Sequence, residues 1–172
     1  MLRLLGALFV LVGTGGLGYL MAVGLTEHAA NLRRLVAALQ HLESEIVFAS
    51  LPLSQALRRT GRVIGGEVGQ FMEAVAASLA QNDGRTSAVV WREALAAYGP
   101  ELLLSAAESE ILASLGAALG GSDREDQAKH LALARAGLQR YADEAAEKAT
   151  KGKKIWYYLG FSTGALLVLV FY

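Results

Sequence analysis

The imidazoles in the chain are His28, His41 and His130, and their spacing limits what they can do. They are scattered along the predicted helices, with neither an HExxH nor a His-x-His arrangement, so they offer no ready zinc set. The densest polar run is Ser122-Asp123-Arg124-Glu125-Asp126-Gln127, followed by Lys129 and His130. Asp126 and His130 stand one helical turn apart, close enough to share a ligand, yet three carboxylates in a first turn complement the positive helix end without any metal. A hydrolase built on Ser122, Asp126 and His130 would need His130 within about 3.2 Å of the Ser122 hydroxyl. Eight residues along one helix separate the two by roughly 12 Å, and a serine that caps a helix commits its oxygen to a backbone N–H. Glu43 and Glu45 are two apart, on different faces of a helix, and do not form an acid–base pair by themselves. No GxxxxGK[ST] phosphate loop occurs, so the chain is not itself an ATPase. The absence of cysteine excludes disulfides, thiolate metal sites and cysteine nucleophiles. The residues therefore predict no catalytic group, no metal and no cofactor.

The elements that carry these groups follow from how charge is distributed over 172 residues. Sixteen basic residues balance 16 acidic ones, but all of them except Arg3 lie between Glu27 and Lys154. Within that stretch 31 of 128 residues are charged, about the share of an ordinary globular domain. Neutrality removes the electrostatic case for a nucleic-acid partner.

Leu4–Leu25 is a run of 22 uncharged residues, and Ile155–Tyr172 is a run of 18. A helix needs roughly 20 to cross about 30 Å of hydrocarbon. The second run opens with Trp156, Tyr157 and Tyr158 and closes with Phe171 and Tyr172, as interfacial aromatic belts do. The first resembles a signal peptide, but it exceeds the roughly 7 to 15 residues of an h-region and no A-x-A site follows, which predicts an uncleaved anchor. The predicted organisation is a transmembrane helix over 1–26, a helical domain over 27–154 and a second transmembrane helix over 155–172. Arg33, Arg34, Lys148, Lys151, Lys153 and Lys154 flank the spans on the domain side against Arg3 and the free amine at the termini, which predicts a cytoplasmic domain. Lys151, Lys153 and Lys154 with Trp156 would mark the membrane interface, and the lysines would attract anionic headgroups of the bilayer. Gly18 and Ala22, following Thr14, and Gly160 with Gly164 form small-residue rows suited to close helix packing in lipid.

Between the spans the periodicity is helical throughout, giving an all-α class: about six short helices in a bundle between the two membrane helices. Leu32, Leu35, Val36, Leu39, Leu42 and Ile46 stripe the first, which continues from the membrane span. Pro52 opens the second, which runs to about Arg62. After Gly65-Gly66 the third carries Val68, Phe71, Met72, Val75 and Leu79 and closes at Asn82-Asp83-Gly84. Thr86 caps a fourth with Val90, Trp91, Ala94, Leu95 and Tyr98. Capping boxes Ser105–Glu108 and Ser122–Glu125 open the fifth and sixth, with Gly120-Gly121 between them and Leu131, Ala134, Leu138, Tyr141 and Ala145 striping the last.

Several segments together resemble the stage III sporulation protein AB family. They are Leu42-Glu43-Ser44-Glu45-Ile46, Pro52-Leu53 with Ala56-Leu57, Trp91-Arg92-Glu93-Ala94-Leu95, Leu119-Gly120, the Ser122–Gln127 run with Lys129-His130, and Trp156 leading into the last span. The resemblance covers essentially the whole chain. It implies a mother-cell component of the channel apparatus that joins mother cell to forespore, in the outer forespore membrane. It also implies a soluble domain similar to that of type II secretion and type IV pilus platform proteins, where Pro-Leu-x-x-Ala-Leu recurs, here at Pro52–Leu57. Those proteins repeat the domain; one copy here implies homo-oligomers or a partner. The implied partners are a cognate secretion-type ATPase and the other sporulation channel membrane proteins. Glu43, Glu45, Asp123, Arg124, Glu125, Asp126 and His130 are the expected docking residues. The competing readings are a membrane-anchored hydrolase and a membrane adaptor unrelated to secretion.

Overall fold

The computed structural model of the chain describes the backbone of residues 2–121 and 123–171, and the side chains of 23–121 and 123–152. Six helices and no strand make up these residues: α1 (Leu2–Val47), α2 (Leu53–Ile64), α3 (Gly66–Ala80), α4 (Ser87–Tyr98), α5 (Ala106–Leu119) and α6 (Arg124–Phe171). The sixth helix is not short as expected: α6 continues for 48 residues, through the lysine run and along the C-terminal apolar run. Lysine, alanine and glutamate are strong helix formers, and the about 1 kcal/mol that Gly152 costs does not outweigh them.

Two compact units divide the chain, Met1–Ala29 with Asp143–Tyr172, and Ala30–Ala142. Among the described residues no helix is long and apolar enough to cross a membrane. The expected spans fall almost wholly outside the described side chains, and so do Gly18, Ala22, Lys153, Lys154, Trp156, Gly160 and Gly164. In the first unit, Ala29, Ala145 and Ala149 are buried and Lys151 pairs with Glu147 at 2.5 Å on the surface. That pairing holds the Glu147 carboxyl below its ordinary range.

The core of the second unit follows the predicted stripes, with shifts that share a cause. Leu32, Leu35, Leu39, Leu42 and Ile46 are buried as expected, but Ala38 is buried where Val36 is only half-buried. On α6, Ala142 is fully buried and Tyr141 stands half out. On α3, Ala76 is buried and Leu79 is half-buried. At each place a small residue sits at the closest approach and the larger neighbour fills the margin.

Backbone meets backbone at the crossing of α2 and α3. A Cβ on Gly61 would stand 2.8 Å from the Gly69 carbonyl oxygen, and one on Gly69 would stand 2.5 Å from that of Gly61. The single connecting residue, Gly65, has φ 63°, and Gly66 follows at 61°, left-handed values that side chains resist. Phe71 on α3 meets the fully buried Trp91 on α4 edge-on, ring centres 5.7 Å apart. Buried Asn31 on α1 donates to the Leu102 carbonyl at 3.3 Å and to Glu67 on α3 at 3.1 Å, fixing α1 against both.

Candidate functional site

Three turns of the second unit bring polar groups together: α1 to α2, α3 to α4, and α5 to α6. At the first, Phe48 and Ala49 N–H groups both donate to the Ser44 carbonyl, and Leu51 donates to that of Glu45. The chain then passes through Ser50 at φ 54° into Pro52, which holds the cap position of α2. This tight exit turns Phe48 outward, 84% exposed. It also points the Ser50 hydroxyl at α6, where it accepts a hydrogen bond from Arg124 at 2.9 Å across 74 positions.

The start of α6 is capped by Asp123, whose carboxylate accepts the Asp126 N–H at 2.9 Å. The expected capping box here rests on Ser122, which lies outside the described residues, whereas the Ser105–Glu108 box on α5 is complete. Lys129 pairs with Glu125 at 3.2 Å and with Asp126 at 3.3 Å, and the Glu125 hydrogen bond, then that of Asp126, raises its pKa. Gln127 donates to the Leu119 carbonyl at 3.1 Å, tying α6 back to the end of α5. Ser87 at the start of α4 donates to the Gly116 carbonyl at 3.0 Å, and Gly120 lies so close to the Ser87 hydroxyl that no Cβ fits there. Gly120 itself keeps right-handed helical angles, so close approach and not a left-handed cap explains this glycine.

At the middle turn, Arg85 pairs with Asp83 at 2.7 Å and with Glu93 at 2.5 Å. The Arg85 backbone N–H donates to Asp83 at 3.1 Å, and this bond, helped by the guanidinium, lowers the Asp83 pKa. An open groove of about 850 Å³ runs between these turns, lined by Leu53, Ser54, the 83–88 segment, Gly120, Gly121 and Gln127. Its Asp83 and Arg85 charges cancel locally, so its walls mix hydroxyls and backbone with the apolar Leu53, Leu79 and Leu119 in place of a net field.

The expected docking residues divide among different neighbours. Glu43 pairs with Arg135 on α6 at 2.9 Å, while Glu45, 8% exposed, takes Arg59 on α2 at 3.2 Å and lies 3.6 Å from His41. His41 in turn meets the buried Thr60 hydroxyl at 3.1 Å. The two glutamates do face different elements, as their spacing predicts. Asp123, Arg124, Glu125 and Asp126 lie at the turns as one exposed group, engaged in the cap, the Ser50 bond and the Lys129 pairs. His130 is exposed and lines a separate groove with Ile111 and Leu133. Serine-based hydrolysis would depend on Ser122, which lies outside the described residues, and among those described no group of three His, Asp or Glu is placed to hold a metal. Sequence reasoning missed Phe48, Ser50 and Arg85. Phe48 was detectable: it is a large apolar residue off the 3–4 stripe, four residues before Pro52.

These features define an all-helical protein whose charged groups tie its helices and turns together and which, among the described residues, exposes one aromatic, Phe48, at the α1–α2 turn. The chain belongs to the stage III sporulation protein AB family: that family's model, "Stage III sporulation protein AB", matches residues 3–172. It is 36% identical over 171 residues to the Stage III sporulation protein AB of Bacillus subtilis (strain 168), covering 99% of each chain. A solved structure of Stage III sporulation protein AB superposes with a TM-score of 0.65 at 29% identity, over 72% of this chain and 96% of that one. The chain is thus a sporulation-family protein built of helices.

Proposed function

We propose that this chain is a non-enzymatic platform in the outer forespore membrane, anchored by two spans, whose helical unit docks a secretion-type ATPase from the mother-cell cytoplasm. The observation that carries the reading is the exposed Phe48 standing on the turn that Ser50 and Arg124 lock together. Exposed aromatics and arginines are the residue types that interfaces concentrate, and Phe48 and Arg124 stand at the two sides of this turn. Glu125, Asp126 and Lys129 form the polar rim, and the other channel membrane proteins are the partners along the spans.

The test is capture of the cognate ATPase by the full chain in detergent or in vesicles. Phe48→Ser should lower capture by more than about tenfold, the scale of a hot-spot residue. Arg124→Glu should lower it and flatten or invert its salt dependence. Full capture by both variants would sink the docking reading, and protease cleavage of the helical unit only from the extracytoplasmic side would sink the orientation.

A further inference from the structure

Helices α5 and α6 leave a second groove between them, about 630 Å³, on a face that the turns do not reach. Small residues floor it: Ala107, Ser114, Ala134 and Gly137. Leu133 projects from its α6 side, 70% exposed. Ile111 Cδ1 lies 3.2 Å from where a Gly137 Cβ would stand, which sets the register of the two antiparallel helices and puts Glu110 within a turn of Arg140. Both are exposed, both line the groove, and among the described residues neither holds an ion-pair partner.

We propose that this groove seats a second copy of the chain, related by a two-fold axis parallel to α6. Such an axis lays α6 of each copy over α5 of the other at the same level. Glu110 then faces Arg140 of the second copy, and Arg140 faces the second copy's Glu110, so one acid and one base are each satisfied twice, as an isologous contact requires. Leu133 enters the second copy's floor beside Ser114. A two-fold axis perpendicular to the helices would lay α6 on α6 and α5 on α5, and since α5 carries no basic residue Glu110 would go unmatched. The charges therefore select both the occupant and the axis. This inference uses no part of the platform reading.

Two differently tagged full-length copies, co-expressed and solubilised in mild detergent, provide the test, read as capture of one by the other. Glu110→Arg and Arg140→Glu should each lower self-capture by about tenfold or more, since like charges then oppose across the axis. A Glu110→Arg copy mixed with an Arg140→Glu copy should recover it, because every facing pair is opposite again. Leu133→Asp, at an exposed position, should also lower self-capture. Circular dichroism verifies the fold, and Glu110→Gln with Arg140→Gln replace any reversal that loses helix. Unchanged self-capture in both single reversals, or no recovery in the mixed pair, overturns the proposal. Leu133→Asp that spares self-capture but loses a different membrane protein assigns the groove to that protein and overturns it equally.

Discussion

Arg135 on α6 holds Glu43 on α1 at 2.9 Å, joining positions 92 apart in the chain. Both side chains are partly shielded, 35% and 26% exposed, so the pair sits at the upper end of surface ion pairs. A double-mutant cycle with Glu43→Gln and Arg135→Gln should return a coupling of about 0.5–1 kcal/mol in thermal unfolding. The coupling should shrink as salt rises to about 1 M. A zero coupling at low salt would show that the contact contributes nothing.

Trp91 and Gly116 set a steric test. A Cβ at Gly116 would overlap the Trp91 indole, so Gly116→Ala should destabilise the second unit by about 1–3 kcal/mol. Trp91→Ala, which empties a fully buried site, should cost about 3–5 kcal/mol. The indole N–H has no hydrogen-bond partner among the described residues, so Trp91→Phe should cost less than Trp91→Ala. Urea unfolding of the three variants gives the order.

Phe48 separates binding from folding. Because its side chain is exposed, Phe48→Ser should change stability by no more than about 0.5 kcal/mol. A larger loss on unfolding would mean that the aromatic is held by packing and is no free anchor.

Asp83 makes the α3–α4 turn sensitive to acid. Its folded pKa is lowered from 3.8, first by the Arg85 backbone N–H and then by the guanidinium. A lowered carboxyl contributes stability that is present above its unfolded pKa and is lost as pH falls through the folded value. NMR titration should therefore place Asp83 below 3.8, and Arg85→Gln should move it only part of the way back, since the backbone donor survives. A midpoint at or above 3.8 in the parent chain would contradict the turn geometry.

The stripes that build the core were legible because Leu32, Leu39, Phe71, Val75 and Leu138 repeat every three or four residues, and that period is a local property. The shifts from Val36 to Ala38 and from Tyr141 to Ala142 arose because hydropathy favours the larger residue, while close helix contact favours a nearby alanine. The caps by Thr86 and Ser105 were legible for the same local reason, their partners lying three residues on. The candidate site was legible only as a cluster of charges. Arg124 finds Ser50 and Glu43 finds Arg135 across 74 and 92 positions, and no spacing rule reaches that far. Continuity of α6 was hidden by reading the lysine run as a boundary, although lysine is a helix former.

The glycine crossing of α2 and α3 has a bearing on the order of assembly. Two helices of 12 and 15 residues joined by one residue close their contacts over very short stretches of chain. Loop closure there costs little entropy, and the bare backbones at Gly61 and Gly69 need no side-chain rearrangement to meet. The expected order is therefore that this hairpin forms before α1 and α6 find each other through residues some 90 positions apart. Substitutions in its crossing should slow refolding, while loss of the Glu43–Arg135 pair should mainly hasten unfolding.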